Sequence, residues 1–210
     1  MKSLSHALFL HYHDENDKVW FFPFPASRRE VFEKELKKNL KINSDTPWDQ
    51  ANFKASNFLD KGQVFLGGEI FLISLKTRSI TFLFPGRFGF NIAQDKIPDV
   101  DFFLNHIRRY VKTTRCCRTM NYKIRWTLFF NTNPIDQDIH QDIDKKISKC
   151  WLNIIIPVTK EGKPTKFYDE KGEERVAPLL EDNSYFYIFP QHMFHRGVGE
   201  SHVRLFSSMS

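Results

Sequence analysis

Two side chains on one short segment, Ile139-His140-Gln141-Asp142-Ile143, have the chemistry of metal ligands. In an extended chain successive side chains alternate between two faces, so His140 and Asp142 point the same way. An imidazole nitrogen and a carboxylate oxygen on one face can bind a single metal ion together. The pattern His-x-Asp is short enough to arise by chance, and a polar loop is the alternative interpretation.

A second group of candidate residues lies near the end of the chain, in the stretch HMFHRGVGESHVR. If residues 197–201 form a hairpin turn, His195 and Arg204 are cross-strand partners on one face. His195 is therefore the expected third ligand. His192 is the alternative ligand if the turn slips, and His202 is expected to be a bystander or part of the pocket wall.

Together, His140, Asp142 and His195 supply two imidazoles and one carboxylate. This ligand set is typical of non-haem Fe(II) oxygenases, in which it leaves coordination positions open for other molecules. Arg204 adds a rigid guanidinium that can hold a carboxylate through two parallel hydrogen bonds.

The order of these residues, HxD followed by short strands and then by His and Arg, spans roughly Ile124 to Ser208 and includes the strands WLNIIIPV and PTKFYD. It resembles the Fe(II)/2-oxoglutarate-dependent dioxygenase superfamily. The resemblance implies an oxidoreductase whose Fe(II) is bound by His140, Asp142 and His195. It also implies that Arg204 binds the distal carboxylate of 2-oxoglutarate, and that O2 converts this cosubstrate to succinate and CO2 while a substrate is hydroxylated or demethylated.

Two further residues, Asn153 and Thr165, lie on strands between the ligands and are expected to add hydrogen bonds to 2-oxoglutarate. An ordinary place in a strand is the alternative for each. Many members of the superfamily carry Ser two positions after the arginine, whereas this chain has Phe206 there, followed by Ser207 and Ser208.

Strand-like runs dominate the chain from Lys123 onward and must position these residues. Turn residues separate the runs KIRWTLFFN, CWLNIIIPV, PTKFYD, ERVAPLL, SYFYIFP and HVRLFSS. Many short strands with frequent turns are typical of a sandwich or barrel. We therefore predict a mainly β (α+β) fold, with a double-stranded β-helix core of jelly-roll or cupin-like type over residues 121–210.

Residues 1–120 are predicted to supply further strands and supporting helices to a single domain, 1–210. Strands are expected over 18–24, 69–75 and 79–84, and residues 43–62 are loop-like. One helix should begin at a Ser27 cap, with Glu30 in a capping box, and end near Leu40. Val31 is expected in its buried stripe. A second helix should begin at Pro98 in PDVDFFLNHIRRYVK.

Composition limits the class of protein. The chain has 210 residues, of which 41% are hydrophobic, so it can bury a core. Its three cysteines, Cys116, Cys117 and Cys150, are odd in number, which argues against a disulfide framework and favours a reducing compartment. The N-terminal apolar run is too short for a signal peptide or a membrane span, so a cytoplasmic location without a membrane partner is expected. The oligomeric state is not readable.

Several alternatives remain open. A cupin-type metal-binding protein without oxygenase activity would use the same scaffold and ligands, although Arg204 favours a keto acid cosubstrate. His11 and His13 are a rival metal pair that lacks a downstream partner. The net charge of +6 permits nucleic acid. Basic and aromatic residues alternate around one segment, an arrangement that suits the binding of single-stranded nucleic acid. These residues are Arg115, Arg118, Tyr122, Lys123, Arg125 and Trp126.

The substrate itself is not readable from the residues. A small molecule or an amino-acid side chain is expected first, a residue of another protein or peptide second, and nucleic acid third.

Overall fold

In the computed structural model the chain is described over residues 8–11, 18–48, 53–54, 71–74, 79–82, 87–113, 123–131, 134–143, 150–175, 183–200 and 202–209. The elements of the N-terminal half are β1 (Leu8–His11), β2 (Lys18–Pro23), α1 (Ala26–Asn39), β3 (Phe53–Lys54), β4 (Phe71–Ser74), β5 (Ser79–Phe82), β6 (Arg87–Ile92), a 3-10 turn (Gln94–Lys96) and α2 (Val100–Thr113). The C-terminal half contains β7 (Ile124–Asn131), β8 (Leu152–Pro157), β9 (Lys166–Tyr168), β10 (Glu174–Arg175), β11 (Tyr185–Pro190), β12 (Phe194–Arg196) and β13 (His202–Met209).

These strands form three antiparallel sheets. The major sheet has seven strands in the order β1-β2-β11-β8-β13-β7-β6. A minor sheet has the order β10-β9-β12, and a third sheet has the order β3-β5-β4. Because β1, β2 and β6 come from the N-terminal half, both halves of the sequence contribute to the major sheet.

The two faces of the major sheet carry different cores. One face packs against the helices through residues such as Ile154, Phe186 and Leu205, which contact Leu36 of α1 and Phe103 of α2 within one buried cluster. The other face packs against the minor sheet in a smaller cluster formed by Val19, Phe21, Ile155, Phe167, Tyr187, Phe189 and Met193. The predicted fold class, mainly β with a double-stranded β-helix core and supporting helices, is confirmed.

Strand β8 shows why the sequence selects this arrangement. Its residues LNIIIP are buried on both faces, as expected for a strand covered on two sides. Ile154 belongs to the cluster beneath the helices and Ile155 to the cluster beneath the minor sheet. A continuous apolar run is therefore required here, in place of alternation between polar and apolar residues.

The predicted start of α1 is wrong in detail. The N-cap is Pro25, which makes no side-chain capping bond, and Ser27 lies inside the helix. The carbonyl of Pro25 accepts the amides of Arg28 and Arg29 at 2.9 and 3.0 Å, so the helix begins on backbone hydrogen bonds.

The predicted buried stripe of α1 also needs correction, because Val31 is 57% exposed. Arg29, Phe32 and Leu36 of α1 and its C-cap Leu40 are buried at the three- and four-residue spacing of one helix face, and Lys37 is buried beside them. The buried Arg29 guanidinium donates to the carbonyl of Asn183 at 2.6 Å.

Most predicted strands are present, with some differences. The run ERVAPLL is described only at Glu174–Arg175, and β6 and β3 were not predicted. His11 ends β1, whereas His13, Cys116 and Cys117 lie outside the described residues. Cys150 is half-buried. Neither helix in the described part of the chain is long and apolar enough to cross a membrane, and the cytoplasmic location stays a prediction.

One buried histidine makes the stability of this fold dependent on pH. His106 of α2 lies against the rings of Phe22, Phe102 and Phe186, and its Nδ1–H donates to the carbonyl of Phe102 at 2.8 Å. Burial is the largest cause that lowers its pKa below the ordinary value of 6.5. The unfolded chain therefore takes up a proton at a pH where the folded chain does not, and stability falls as the pH drops below that value.

We predict that the melting temperature of the protein decreases as the pH is lowered from about 7 to about 5, and that His106→Phe and His106→Gln both flatten this decrease. Thermal unfolding followed by circular dichroism across this range measures the effect. Equal slopes in the wild type and in both variants would contradict this role for His106.

Candidate metal centre

The segment that carries His140 and Asp142 is attached along β12 and its flanks by backbone hydrogen bonds. The His140 amide donates to the His195 carbonyl at 3.0 Å, and the His195 amide donates to the His140 carbonyl at 2.9 Å. The Asp142 amide donates to the carbonyl of Gln191 at 3.0 Å. These bonds fix the backbone of all three predicted ligands relative to one another.

Side chains further along the segment extend this attachment. The Gln137 side chain accepts the amide of Gly197 at 2.9 Å, and Asp136 accepts the amide of Gly199 at 2.7 Å. A Cβ atom at Gly197 would collide with the Gln137 side chain, and one at Gly199 would collide with the backbone of Pro134. Position 199 therefore requires glycine for the close approach of two backbone segments, whereas the flexible Gln137 side chain could move away from a larger residue at position 197.

The structure brings His140, Asp142 and His195 together. One ligand atom from each lies within 4.8 Å of the others. His140 Nε2 is 3.6 Å from Asp142 Oδ1, and His195 Nε2 is 3.6 Å from Asp142 Oδ2. Ligand atoms about 2.0–2.2 Å from a common ion lie roughly 3 to 3.5 Å from each other, so a small shift of these side chains suffices to bind a metal.

The hydrogen bonds of the two imidazoles favour this use. His140 Nδ1 lies 2.7 Å from the carbonyl of Asp138, and His195 Nδ1 lies 2.9 Å from the carbonyl of Met193. Because a carbonyl only accepts, the proton of each ring is on Nδ1, and Nε2 presents its lone pair towards the carboxylate. Both rings are thus held in the tautomer that a metal ligand needs.

Burial also keeps His195 in its ligating form. His195 is 6% exposed, and desolvation is the largest cause that lowers its pKa. The nearby Asp142 carboxylate acts in the opposite direction. The net lowering favours the neutral imidazole near neutral pH, which is the form that binds metals.

Asn153 of β8 contacts the same carboxylate. Its side-chain amide donates a hydrogen bond to Asp142 Oδ2, which leaves Oδ1 on the side of His140. Asn153 Oδ1 is buried and has no hydrogen-bond partner among the described residues. Asn153 thus orients the carboxylate, while its expected hydrogen bond to 2-oxoglutarate stays a prediction.

Arg204 and Thr165 lie in the same cavity. Arg204 is 5% exposed, and its guanidinium donates to Thr165 Oγ1 at 3.0 Å and to the carbonyl of Lys163. Thr165 Oγ1 also accepts the hydroxyl of Tyr187 at 2.8 Å. A guanidinium has five N–H donors, so these two bonds leave donors for a bound carboxylate.

The route by which His195 and Arg204 meet differs from the predicted hairpin. His195 is on β12 and pairs with Phe167 of the minor sheet, whereas Arg204 is on β13 and pairs with Phe129 and Pro157 of the major sheet. The predicted cross-strand pairing is therefore wrong. Both residues line one cavity because the two sheets face each other.

This cavity has a volume of about 480 Å³ and joins all the predicted site residues. Its lining includes the three candidate ligands together with Asn153, Thr165 and Arg204. His202 is also part of its wall, as expected, whereas His192 is buried elsewhere and does not belong to the ligand cluster.

Sequence reasoning did not single out several residues of this cavity. Gln137 lines it from the ligand-bearing segment, and Gly89 and Asn91 line it from β6. The predicted ligand pair, which begins three residues further along at His140, was the only sequence signal near Gln137. Gly89 weakens the strand signal of β6, so the sequence offered no indication of that wall.

Comparisons with known proteins find similar solved structures only at low sequence identity. No protein-family model and no curated protein matches the sequence. The structure is similar to a prolyl-4-hydroxylase from Pseudomonas putida, with 11% identity and a TM-score of 0.44 over 60% of this chain and 72% of that one. It is also similar to a viral collagen prolyl hydroxylase from Paramecium bursaria Chlorella virus-1 in complex with 2-oxoglutarate, with 10% identity and a TM-score of 0.41 over 60% and 77%.

A third similar structure is AviO1 from Streptomyces viridochromogenes Tue57, with 13% identity and a TM-score of 0.43 over 92% of this chain and 88% of that one.

We predict that Asn153→Ala weakens binding of Co(II) by about 10- to 100-fold, because the Asp142 carboxylate loses the amide that orients it. Isothermal titration calorimetry measures this affinity. Asn105→Ala, on the exposed side of α2, is the matched control and should bind Co(II) as the wild type does. Unchanged affinity in a folded Asn153→Ala protein would show that this hydrogen bond does not support the site.

Proposed function

We propose that this protein is an Fe(II)- and 2-oxoglutarate-dependent dioxygenase that hydroxylates or oxidatively demethylates a small molecule or an amino-acid side chain. The observation that carries the proposal is that one cavity contains both the candidate metal ligands and a candidate binding group for the cosubstrate. Two imidazoles with free Nε2 atoms and one carboxylate converge, and a buried guanidinium lines the same space.

The residues fit the proposed metal. His140 Nε2, His195 Nε2 and an Asp142 oxygen would hold Fe(II) on one side and leave the opposite side open to the cavity. When bound there, Fe(II) supplies the redox chemistry that couples reduction of O2 to decarboxylation of 2-oxoglutarate and to oxidation of the substrate. The nitrogen and oxygen donors, without a thiolate, suit this ion.

The part of Arg204 is to bind and orient the cosubstrate. Its guanidinium is held by Thr165 and Lys163, so its direction is fixed before a carboxylate arrives. Among the described residues Arg204 forms no ion pair with a carboxylate, although it is 5% exposed. A carboxylate of 2-oxoglutarate would neutralise this buried charge through two charge-assisted hydrogen bonds.

Apolar residues cover one flank of the metal site. Ile155, Phe167 and Phe189 pack in the cluster beneath the minor sheet, and Phe167 and Phe189 lie against the His195 ring. His195 is therefore shielded from solvent, whereas His140 is half-buried and Asp142 is exposed. The open side of the site is thus at His140 and Asp142.

The alternatives receive less support. A cupin-type metal protein without a keto acid cosubstrate has no use for a buried arginine in the same cavity as the ligands. A nucleic-acid-binding strip would need exposed aromatic rings, yet Trp126 is 3% exposed and belongs to the core beneath the helices. Arg115, Arg118 and Tyr122 lie outside the described residues.

The proposal is tested by loading the protein with Fe(II) and 2-oxoglutarate without oxygen and recording the visible charge-transfer absorption of the chelate. We expect a weak band, followed by formation of succinate when oxygen is admitted. His140→Ala and Asp142→Ala should abolish both signals, because each removes one of the three ligands. Lack of both signals in the wild type, or their survival in both variants, would refute the proposed activity.

Arg204 has a separate expected effect. Arg204→Ala should weaken the binding of 2-oxoglutarate by at least about tenfold while Fe(II) affinity is unchanged, because the residue contacts the distal carboxylate only. Arg204→Lys keeps the charge without the planar fork and should be intermediate. Equal loss of iron and cosubstrate in Arg204→Ala would show that the assigned role is wrong.

A further inference from the structure

The floor of the cavity is an ordered array of side chains on the major sheet. Directly opposed residues of antiparallel strands share a face, so rows of side chains can be read from the strand register. Arg125, Ser208 and Asn153 form one row across β7, β13 and β8. A second row contains Phe129 and Arg204, and it lies four residues before Ser208 on β13.

These rows place two arginines at opposite ends of the cavity floor. Arg125 lies two strand spacings, or about 10 Å at the backbone, from Asn153, which itself donates to Asp142. Arg204 lies about 13 Å along β13 from Ser208. Arg125 therefore belongs to the end of the cavity near the metal ligands, whereas Arg204 belongs to the far end.

The middle of the floor has a different character on its two sides. Towards β8 it is formed by Ile155 and Phe206, which lead to Arg204. Towards β6 it is formed by Thr127, whose hydroxyl donates to the side-chain oxygen of Asn91 at 3.0 Å. The side next to β6 and β7 thus offers polar groups that neither the metal nor the cosubstrate would use, whereas Phe129 lies in the row of Arg204.

The charges lining the cavity are unbalanced. Its lining has two arginines and three histidines, but among the described residues Asp142 is the only carboxylate. Asp142 would be committed to the metal and Arg204 to 2-oxoglutarate. Arg125 is exposed at the cavity mouth, and no ion pair is found for it in the part of the chain that the structure describes. One cation near the reacting end is therefore left for a second anion.

We infer that the substrate is a small organic anion whose carboxylate or phosphate group is bound by Arg125, with its apolar part over Phe206 in the middle of the cavity floor. The inference rests on the proposed function and adds the chemical class of its substrate. A cavity of about 480 Å³ suits a small molecule. The burial of Trp126 on the opposite face of β7 removes the ring that would stack a nucleic-acid base beside Arg125.

The test uses the full chain loaded with Mn(II), which does not support turnover, and saturated with 2-oxoglutarate. Benzoate and phenyl phosphate are the anionic probes, and benzamide is the neutral counterpart of similar shape. We expect calorimetry to show that both anions bind, and that benzamide binds at least about tenfold more weakly. Arg125→Gln should lower the affinity for both anions by about tenfold without changing the affinity for benzamide or 2-oxoglutarate. Arg125→Lys should lower the affinity for the anions less.

Arg108→Gln, an exposed arginine replaced on α2, is the matched control and should leave every affinity unchanged. If neither anion binds at up to about 50 mM, or if Arg125→Gln binds them as tightly as the wild type, the inference is overturned. Binding of the anions only when 2-oxoglutarate is absent would also overturn it, since that result assigns them to Arg204.

Two further outcomes separate this inference from its alternatives. Tighter, Arg125-dependent binding of a short oligothymidylate than of phenyl phosphate would replace the small molecule with nucleic acid. Failure of Mn(II) and 2-oxoglutarate to bind at all would overturn the proposed function and this inference together. Normal binding of both without an Arg125-dependent anion site overturns the inference alone.

Discussion

The reciprocal pair of backbone hydrogen bonds between His140 and His195 is the interaction on which the site depends. It joins the segment before β8 to β12 and sets the distance between two imidazoles that are far apart in sequence. Because the backbone and the Nδ1 atoms make these attachments, the Nε2 atoms and the Asp142 oxygens remain directed at one another. The ligands are thus arranged before a metal arrives, and little ordering is left for binding to impose.

The same arrangement leaves one positive charge buried without an opposite charge among the described residues, which a bound anion would neutralise. Arg204 is buried among neutral acceptors, Thr165 and the Lys163 carbonyl, and a buried cation without an opposite charge is unfavourable. The two sheets nevertheless hold it in place, since β13 lies between β7 and β8 in the major sheet. A bound dicarboxylate would therefore stabilise the fold as well as complete the site.

The sequence predicted the residues of the site better than the path that joins them. Alternation placed His140 and Asp142 on one face, and residue chemistry with the family resemblance added His195 and Arg204; the structure brings all four to one cavity. The hairpin between His195 and Arg204 was wrong because alternation reports which face a residue occupies, and not which sheet its strand joins. The exposure of Val31 likewise depends on how α1 packs against the major sheet. Helix periodicity alone does not decide which of several neighbouring helix faces is buried.

The proposed function requires that His140, Asp142 and His195 bind one metal ion inside the cavity that contains Arg204. A crystal structure of the protein with Mn(II) and 2-oxoglutarate, with anomalous scattering from the metal, is the decisive measurement. We expect one metal peak about 2.0–2.3 Å from His140 Nε2, an Asp142 oxygen and His195 Nε2, with a carboxylate of 2-oxoglutarate on Arg204. A metal bound elsewhere, or a cosubstrate that leaves Arg204 uncontacted, would contradict it.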